Sequence, residues 1–180
     1  ALFQAVYPFS ENNASGGAST DRNASSLVLR FSQLRGSKTP LSDTDTPGEG
    51  HSEEAFSLLL TGDAEAGGEK QILDRCPELI SGCTILKTAH HGSDTSTSQA
   101  FLDAVSPRAA LISCGKDNSY GHPHEEVLSR LKTAGIPVFI TAECGAITIR
   151  ERNGTVTAET FLRPGAGRTE AAAAGPAGTG

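Results

Sequence analysis

The apolar positions fall into short runs whose spacing changes along the chain. Residues 2–7 read as a short strand that Pro8 closes. Residues 10–23, rich in Ser, Gly, Asn and Ala, predict a loop, and 25–31 predict a second strand through Leu27, Val28 and Leu29. Residues 36–54 are polar and carry Thr, Ser, Pro and Gly, the composition of an exposed insertion between two strands. Strand and helix then alternate. Strands are predicted at 56–61, 84–88 and 109–114, and helices at 67–76, 97–105 and 123–134. The second helix has Ser96 or Thr97 as N-cap and an apolar face of Phe101, Leu102 and Val105. The third has Pro123 near its first turn, Glu125 and Glu126 at its positive end, a stripe of Val127, Leu128 and Leu131, and Gly135 beyond its end. After it only strands are predicted, at 138–141, 146–150 and 155–161, with Asn153-Gly154 as a hairpin turn. Residues 163–180, mostly Ala, Gly, Pro and Thr, predict a disordered tail.

This alternation has a chemical consequence. The strand of Leu58, Leu59 and Leu60 ends at Thr61-Gly62-Asp63. The next runs into Ala89-His90-His91-Gly92-Ser93, and the third into a loop bearing Lys116, Asn118, Tyr120, His122 and His124. Successive strands that release polar side chains at their C-terminal ends build a cleft in α/β proteins.

Composition narrows the readings. At 180 residues the chain suffices for one domain with a sizeable core. A net charge of −6, from 15 basic and 21 acidic residues, provides no general footprint for nucleic acid, so a polyanionic substrate would need bound metal for attraction. No apolar run approaches the roughly 20 residues that span a bilayer, so the segment is expected to be soluble. A start at Ala1 with no Met anywhere points to a fragment of a longer chain. Cys76, Cys83, Cys114 and Cys144 form no Cys-x-x-Cys pair, which argues against a zinc ribbon, and Cys114 reads as a buried thiol.

Asp63 has two readings, a metal ligand or the N-cap of the helix that follows. Two imidazoles after a buried strand favour the metal. Adjacent residues of an extended segment point to opposite sides, so one of His90 and His91 is expected in the cleft and the other behind it. Gly92 allows a positive φ or a close approach, and the hydroxyls and amides of residues 93–98 lead into a helix N-terminus, a place that favours anions. Lys116, Asn118 and His122 are the candidates for holding and protonating a substrate oxygen, whereas His124 reads as part of a helix cap on the surface. The His122-Pro123-His124 run is not read as a zinc pair. Phosphate-loop, nucleophile-elbow and His-Glu-x-x-His motifs are absent.

The runs Leu59-Leu60-Thr61-Gly62-Asp63-Ala64-Glu65, Leu86-Lys87-Thr88-Ala89-His90-His91-Gly92-Ser93 and Ile112-Ser113-Cys114-Gly115-Lys116-Asp117-Asn118-Ser119-Tyr120-Gly121-His122-Pro123 carry a resemblance. So do Asn23 to Leu29 and Thr141 to Ile147. In this order they resemble the C-terminal half of the metallo-β-lactamase-like domain of ComEC-type competence proteins. The resemblance implies an α/β, αββα sandwich over residues 1–162, of which this chain supplies the C-terminal half. It implies one or two divalent metals, zinc or manganese, with Asp63 as bridging ligand and His90, first after the strand and so preferred to His91, as the last histidine ligand. It further implies phosphodiester hydrolysis, DNA as partner and a membrane channel elsewhere in the parent. The family's His-x-His-x-Asp-His motif is missing, since no His precedes His51. The chain alone is therefore expected to be inactive, to need the missing N-terminal half as partner, and to be marginally stable or self-associating. A free-standing hydrolase of a small phosphoester and a non-catalytic binding module are the alternatives.

Overall fold

A computed structural model describes residues 1–7, 26–34 and 54–162. The expected loop at 10–23, the tail at 163–180 and the insertion up to residue 53 lie outside the described residues. Six strands form one sheet in the order β1 (Leu2–Tyr7), β2 (Val28–Leu34), β3 (Glu54–Leu60), β4 (Ile85–Lys87), β5 (Ala109–Ile112) and β6 (Val138–Ile140). β1, β2 and β3 pair antiparallel, whereas β3, β4, β5 and β6 pair parallel. Parallel neighbours need a crossover, and the chain supplies one helix for each: α1 (Ala66–Arg75), α2 (Gln99–Val105) and α3 (Glu125–Thr133). Because β3, β4 and β5 run the same way, their C-terminal ends share one edge, with Leu60 beside Lys87 and Lys87 beside Leu111.

The period of two along each strand divides the apolar residues between two faces. Leu59, Leu86, Ala110 and Ile112 face the helices and join Ile72, Phe101, Leu102, Val127 and Leu131 in the main core. Phe56, Ile85 and Ala109 face the other way and pack with Val156 and Ile149 of a hairpin, β7 (Ile147–Arg152) and β8 (Thr155–Thr160). Helices, six-stranded sheet and two-stranded sheet stack as an α/β sandwich, the expected fold class. Burial of both faces explains why β3 and β5 read as continuous apolar runs. On the hairpin side Phe3, Phe31 and Phe56 form a row across β1, β2 and β3, with centroids 4.9 and 6.1 Å apart. Its outer end is bare, since Phe3 is 71% exposed.

Four local expectations change. β2 runs on to Leu34 because Arg30 to Leu34 pair with β3, with a register shift between Gln33 and Leu34. α2 is capped by Ser98, whose hydroxyl accepts from the Phe101 amide, and not by Ser96 or Thr97. α3 begins at Glu125 with His124 as its N-cap residue, so Pro123 stands outside the helix. After β6 the chain makes one helical turn, α4 (Thr141–Cys144), in a section where only strands were predicted. The Thr141 hydroxyl donates to the Cys114 carbonyl and accepts from the Cys114 amide, both at 2.9 Å, which replaces ladder bonds where the chain leaves the sheet. No helix among the described residues is long and apolar enough to cross a membrane.

Candidate functional site

The shared edge of β3, β4 and β5 is bound together through the main chain. Gly62, just past β3, has φ +53, and a Cβ there would lie 3.0 Å from the Leu27 carbonyl oxygen. This turn exposes the Gly62 carbonyl, which accepts from the His90 amide at 3.0 Å. The Thr61 hydroxyl donates to the Lys87 carbonyl at 2.6 Å. Asp63 is held by its own amide, which donates to the Ser26 hydroxyl at 3.2 Å. Its carboxylate does not cap α1, because the N-cap position falls on Glu65. The N-cap reading of Asp63 is thereby removed.

After β4 the chain enters a tight turn, Ala89–Gly92, in which His90, His91 and Gly92 all have positive φ, at 46, 57 and 83°. A left-handed conformation costs a non-glycine residue about 1–2 kcal/mol, so two in succession store strain beside the cleft. It also overturns the expectation that the two imidazoles diverge. The segment is not extended, and both rings lie near His122, with centroids at 5.6 and 6.3 Å. His91 Nδ1 lies 2.6 Å from the Ser113 carbonyl, an acceptor, so this nitrogen carries the proton. The other ring nitrogen, Nε2, lies 3.7 Å from Asp63 Oδ1. His90 turns Nδ1 inward, 3.3 Å from Glu65 Oε1, where it is buried and makes no hydrogen bond.

The loop after β5 is braced by Asn118. Its amide donates to the Gly115 and His122 carbonyls at 2.8 and 2.7 Å, and its oxygen accepts from the His122 amide at 2.9 Å. In this arrangement Asn118 holds the loop that presents His122, and Lys116 is exposed on the same loop. Burial, helped by the nearby His124, His90 and His91, holds the His122 imidazole below its usual pKa, which favours the neutral ring. His124, read as a surface helix cap, is the N-cap residue of α3 and also ties two loops together. Its Nδ1 accepts from the Asp94 amide at 3.1 Å, its Nε2 lies 3.2 Å from the Tyr120 carbonyl, and its own amide donates to Gly92 at 2.9 Å. The imidazole also holds the Asp94 carboxyl below its usual range. Asp94, Glu65 and His124 were missed because each acts through a partner distant in sequence or in another loop.

The helix N-terminus that sequence marks as an anion site is already served by the protein. The Glu69 carboxylate of α1, buried, accepts from the amides of Thr97 and Ser98. Arg130 of α3 donates to the Ser96 and Thr97 carbonyls from the other side. Burial pushes the Glu69 carboxyl above its ordinary pKa, against the lowering effect of these amides. The one legible signal was position: Glu69 stands three residues before Ile72 on the face α1 buries. The hydroxyls of residues 93–96 are also spent internally, Ser96 donating to the Ala89 and Ser93 carbonyls.

His91, His122 and Tyr120 form a column of nearly parallel rings, 21 and 22° apart in plane, from the Asp63 side to solvent. Lys87 lies behind the edge; burial lowers the pKa of its ammonium and the charge of Asp63 opposes that shift. A divalent cation would find the Asp63–His91 pair spaced close to the roughly 3.4 Å that separates two ligands in a tetrahedral shell. Among the described residues, however, no group of three His, Cys, Asp or Glu side chains converges on such an ion. The residues present fit one side of a metal centre and not a closed one. A separate depression of about 310 Å³ lies away from this edge, on the hairpin between Arg150, Arg152 and Glu159.

No protein-family model matches the chain. Curated relatives do. Over 98 residues, 54% of this chain, it is 40% identical to ComE operon protein 3 of Bacillus subtilis, of which the match covers 12%. Over 103 residues, 57% of the chain, it is 38% identical to Competence protein ComA of Neisseria gonorrhoeae, covering 15% of that protein. Over 93 residues, 52% of the chain, it is 42% identical to Recombination protein 2 of Haemophilus influenzae, covering 11%. The chain thus spans only a small part of the length of the relatives it matches. Over about half of its own length it is a homologue of the ComEC-type competence proteins.

Proposed function

We propose that this chain is part of a metal-dependent phosphodiesterase that acts on DNA during competence-linked uptake. In this reading Asp63 and His91 supply donors to one or two divalent cations, zinc or manganese, and the remaining donors come from beyond the described residues. The supporting observation is the His91 imidazole, with Nδ1 bonded to the Ser113 carbonyl at 2.6 Å and Nε2 turned to Asp63 Oδ1 at 3.7 Å. An outer hydrogen bond that fixes the tautomer and aims the other nitrogen is the usual support of a metal-bound histidine. The same geometry favours His91 over His90 as ligand. His90 and His122 then line the cleft as hydrogen-bonding and proton-transfer groups, Asn118 holds His122 in place, and Lys116 offers a cation to the phosphate. A cation bound at this edge supplies activated water and polarises the phosphoryl oxygen. The name Competence protein ComA of one relative supports a competence-linked role, and the proposal takes DNA as substrate and a membrane channel as neighbour.

Metal uptake tests the ligand assignment. The intact protein, dialysed against zinc or manganese, is expected to retain one or two ions. Asp63→Asn and His91→Ala weaken retention by more than the roughly 10- to 100-fold that loss of an outer-shell partner costs, and His90→Ala weakens it less. Unchanged metal content in Asp63→Asn contradicts the proposal, and loss in His90→Ala alone reverses the assignment.

A further inference from the structure

We infer that Tyr120 is a stacking platform for a nucleobase, so that the cleft takes a single-stranded nucleic acid and not a small phosphoester. This rests on the phosphodiester reading and names its substrate class. Tyr120 is 76% exposed, whereas Tyr7, the other tyrosine, is 2% exposed in the core. A ring this bare contributes little to folding, yet the backbone that carries it is held. Its carbonyl is held by His124 Nε2 at 3.2 Å, and Gly121 and His122 follow in the loop that Asn118 braces. One face of the ring stacks on His122, at 5.7 Å and 22°. Among the described residues no ring covers the other face.

The column of Tyr120, His122 and His91 leads from that open face to Asp63. A base laid on Tyr120 would continue the column outward and leave its sugar–phosphate to run along His122 toward the Asp63–His91 edge. Net charge reinforces the inference. At −6 the chain cannot gather a polyanion by its overall field, and stacking on an aromatic face requires no charge and accepts any base.

The test measures binding to the intact protein, with manganese present, of a short single-stranded thymidine oligomer and an abasic sugar–phosphate oligomer of equal length. The native protein should prefer the base-bearing oligomer. Tyr120→Ala should weaken that oligomer by roughly 5- to 150-fold, the equivalent of about 1–3 kcal/mol for one stacked base, and leave the abasic one unchanged. Tyr120→Phe should bind as the native protein does. Equal binding of both oligomers overturns the platform while leaving the phosphodiester reading intact, and so does equal weakening of both by Tyr120→Ala. Loss in Tyr120→Phe as large as in Tyr120→Ala also overturns it, because the phenol and not the ring would then be responsible. Binding of neither oligomer removes the phosphodiester reading and the platform with it.

Discussion

Glu69→Ala is expected to destabilise the chain by about 2–4 kcal/mol, a fall in Tm of roughly 5–15 °C. The substitution leaves the Thr97 and Ser98 amides without their acceptor, and Thr97 is almost fully buried. It also removes a negative charge from a turn whose Ser96 and Thr97 carbonyls are bound by Arg130. Glu69→Gln keeps one acceptor but points its amide nitrogen at the second N–H, so an intermediate loss is expected. The pH dependence separates the two effects. Burial raises the folded-state pKa of Glu69, so the folded chain holds this proton more tightly than the unfolded chain. The resulting stabilisation is full below the ordinary carboxylate pKa and is lost as pH rises through the raised value. Unfolding free energies of native and Glu69→Gln chains, measured from acid to neutral pH, should show this component only in the native chain. Equal pH profiles would mean that burial does not perturb the carboxyl.

The second large effect is at Gly92. A Cβ at this position would lie 2.8 Å from Pro123 Cβ and 3.3 Å from Ile112 Cγ2, on a backbone with φ +83°. Gly92→Ala therefore combines a left-handed penalty of about 1–2 kcal/mol with overpacking of about 1–3 kcal/mol. The strain falls where the Gly92 carbonyl meets the His124 amide, so the β4 and β5 loops should separate. Gly82→Ala is the control. It has φ +65° but open space around it, so only the conformational penalty applies. Thermal melts should show Gly92→Ala losing clearly more stability than Gly82→Ala; equal losses would mean that the Pro123 contact gives way easily.

The fold was legible where burial dictates pattern. β3 and β5 read as strands because the sheet is covered on both faces, and α2 and α3 carried their stripes openly. That Asp63, His90, His91 and His122 gather at one edge was legible because strand ends advertise polar groups after apolar runs. Conformation was less legible. Nothing in a pair of histidines signals positive φ, so the expected divergence of His90 and His91 failed. Tertiary hydrogen bonds were equally hidden: the tie of His124 to Asp94, the bond of His91 to Ser113 and the buried Glu69 join residues more than 20 positions apart. The turn of α4 depends on one Thr141 hydroxyl bonded to Cys114, which composition cannot distinguish from a strand residue.

The central claim is that the Asp63–His91 edge is one side of a metal centre that cleaves phosphodiesters. Its most direct measurement is cleavage of a single-stranded oligonucleotide by the intact protein in manganese or zinc, with and without chelator, in native and Asp63→Asn forms. The expected result is metal-dependent cleavage that chelator abolishes, with kcat/KM lowered by about 1,000-fold or more in Asp63→Asn, equivalent to roughly 4 kcal/mol of transition-state stabilisation. Cleavage at the native rate by Asp63→Asn, or cleavage undiminished by chelator, would contradict it.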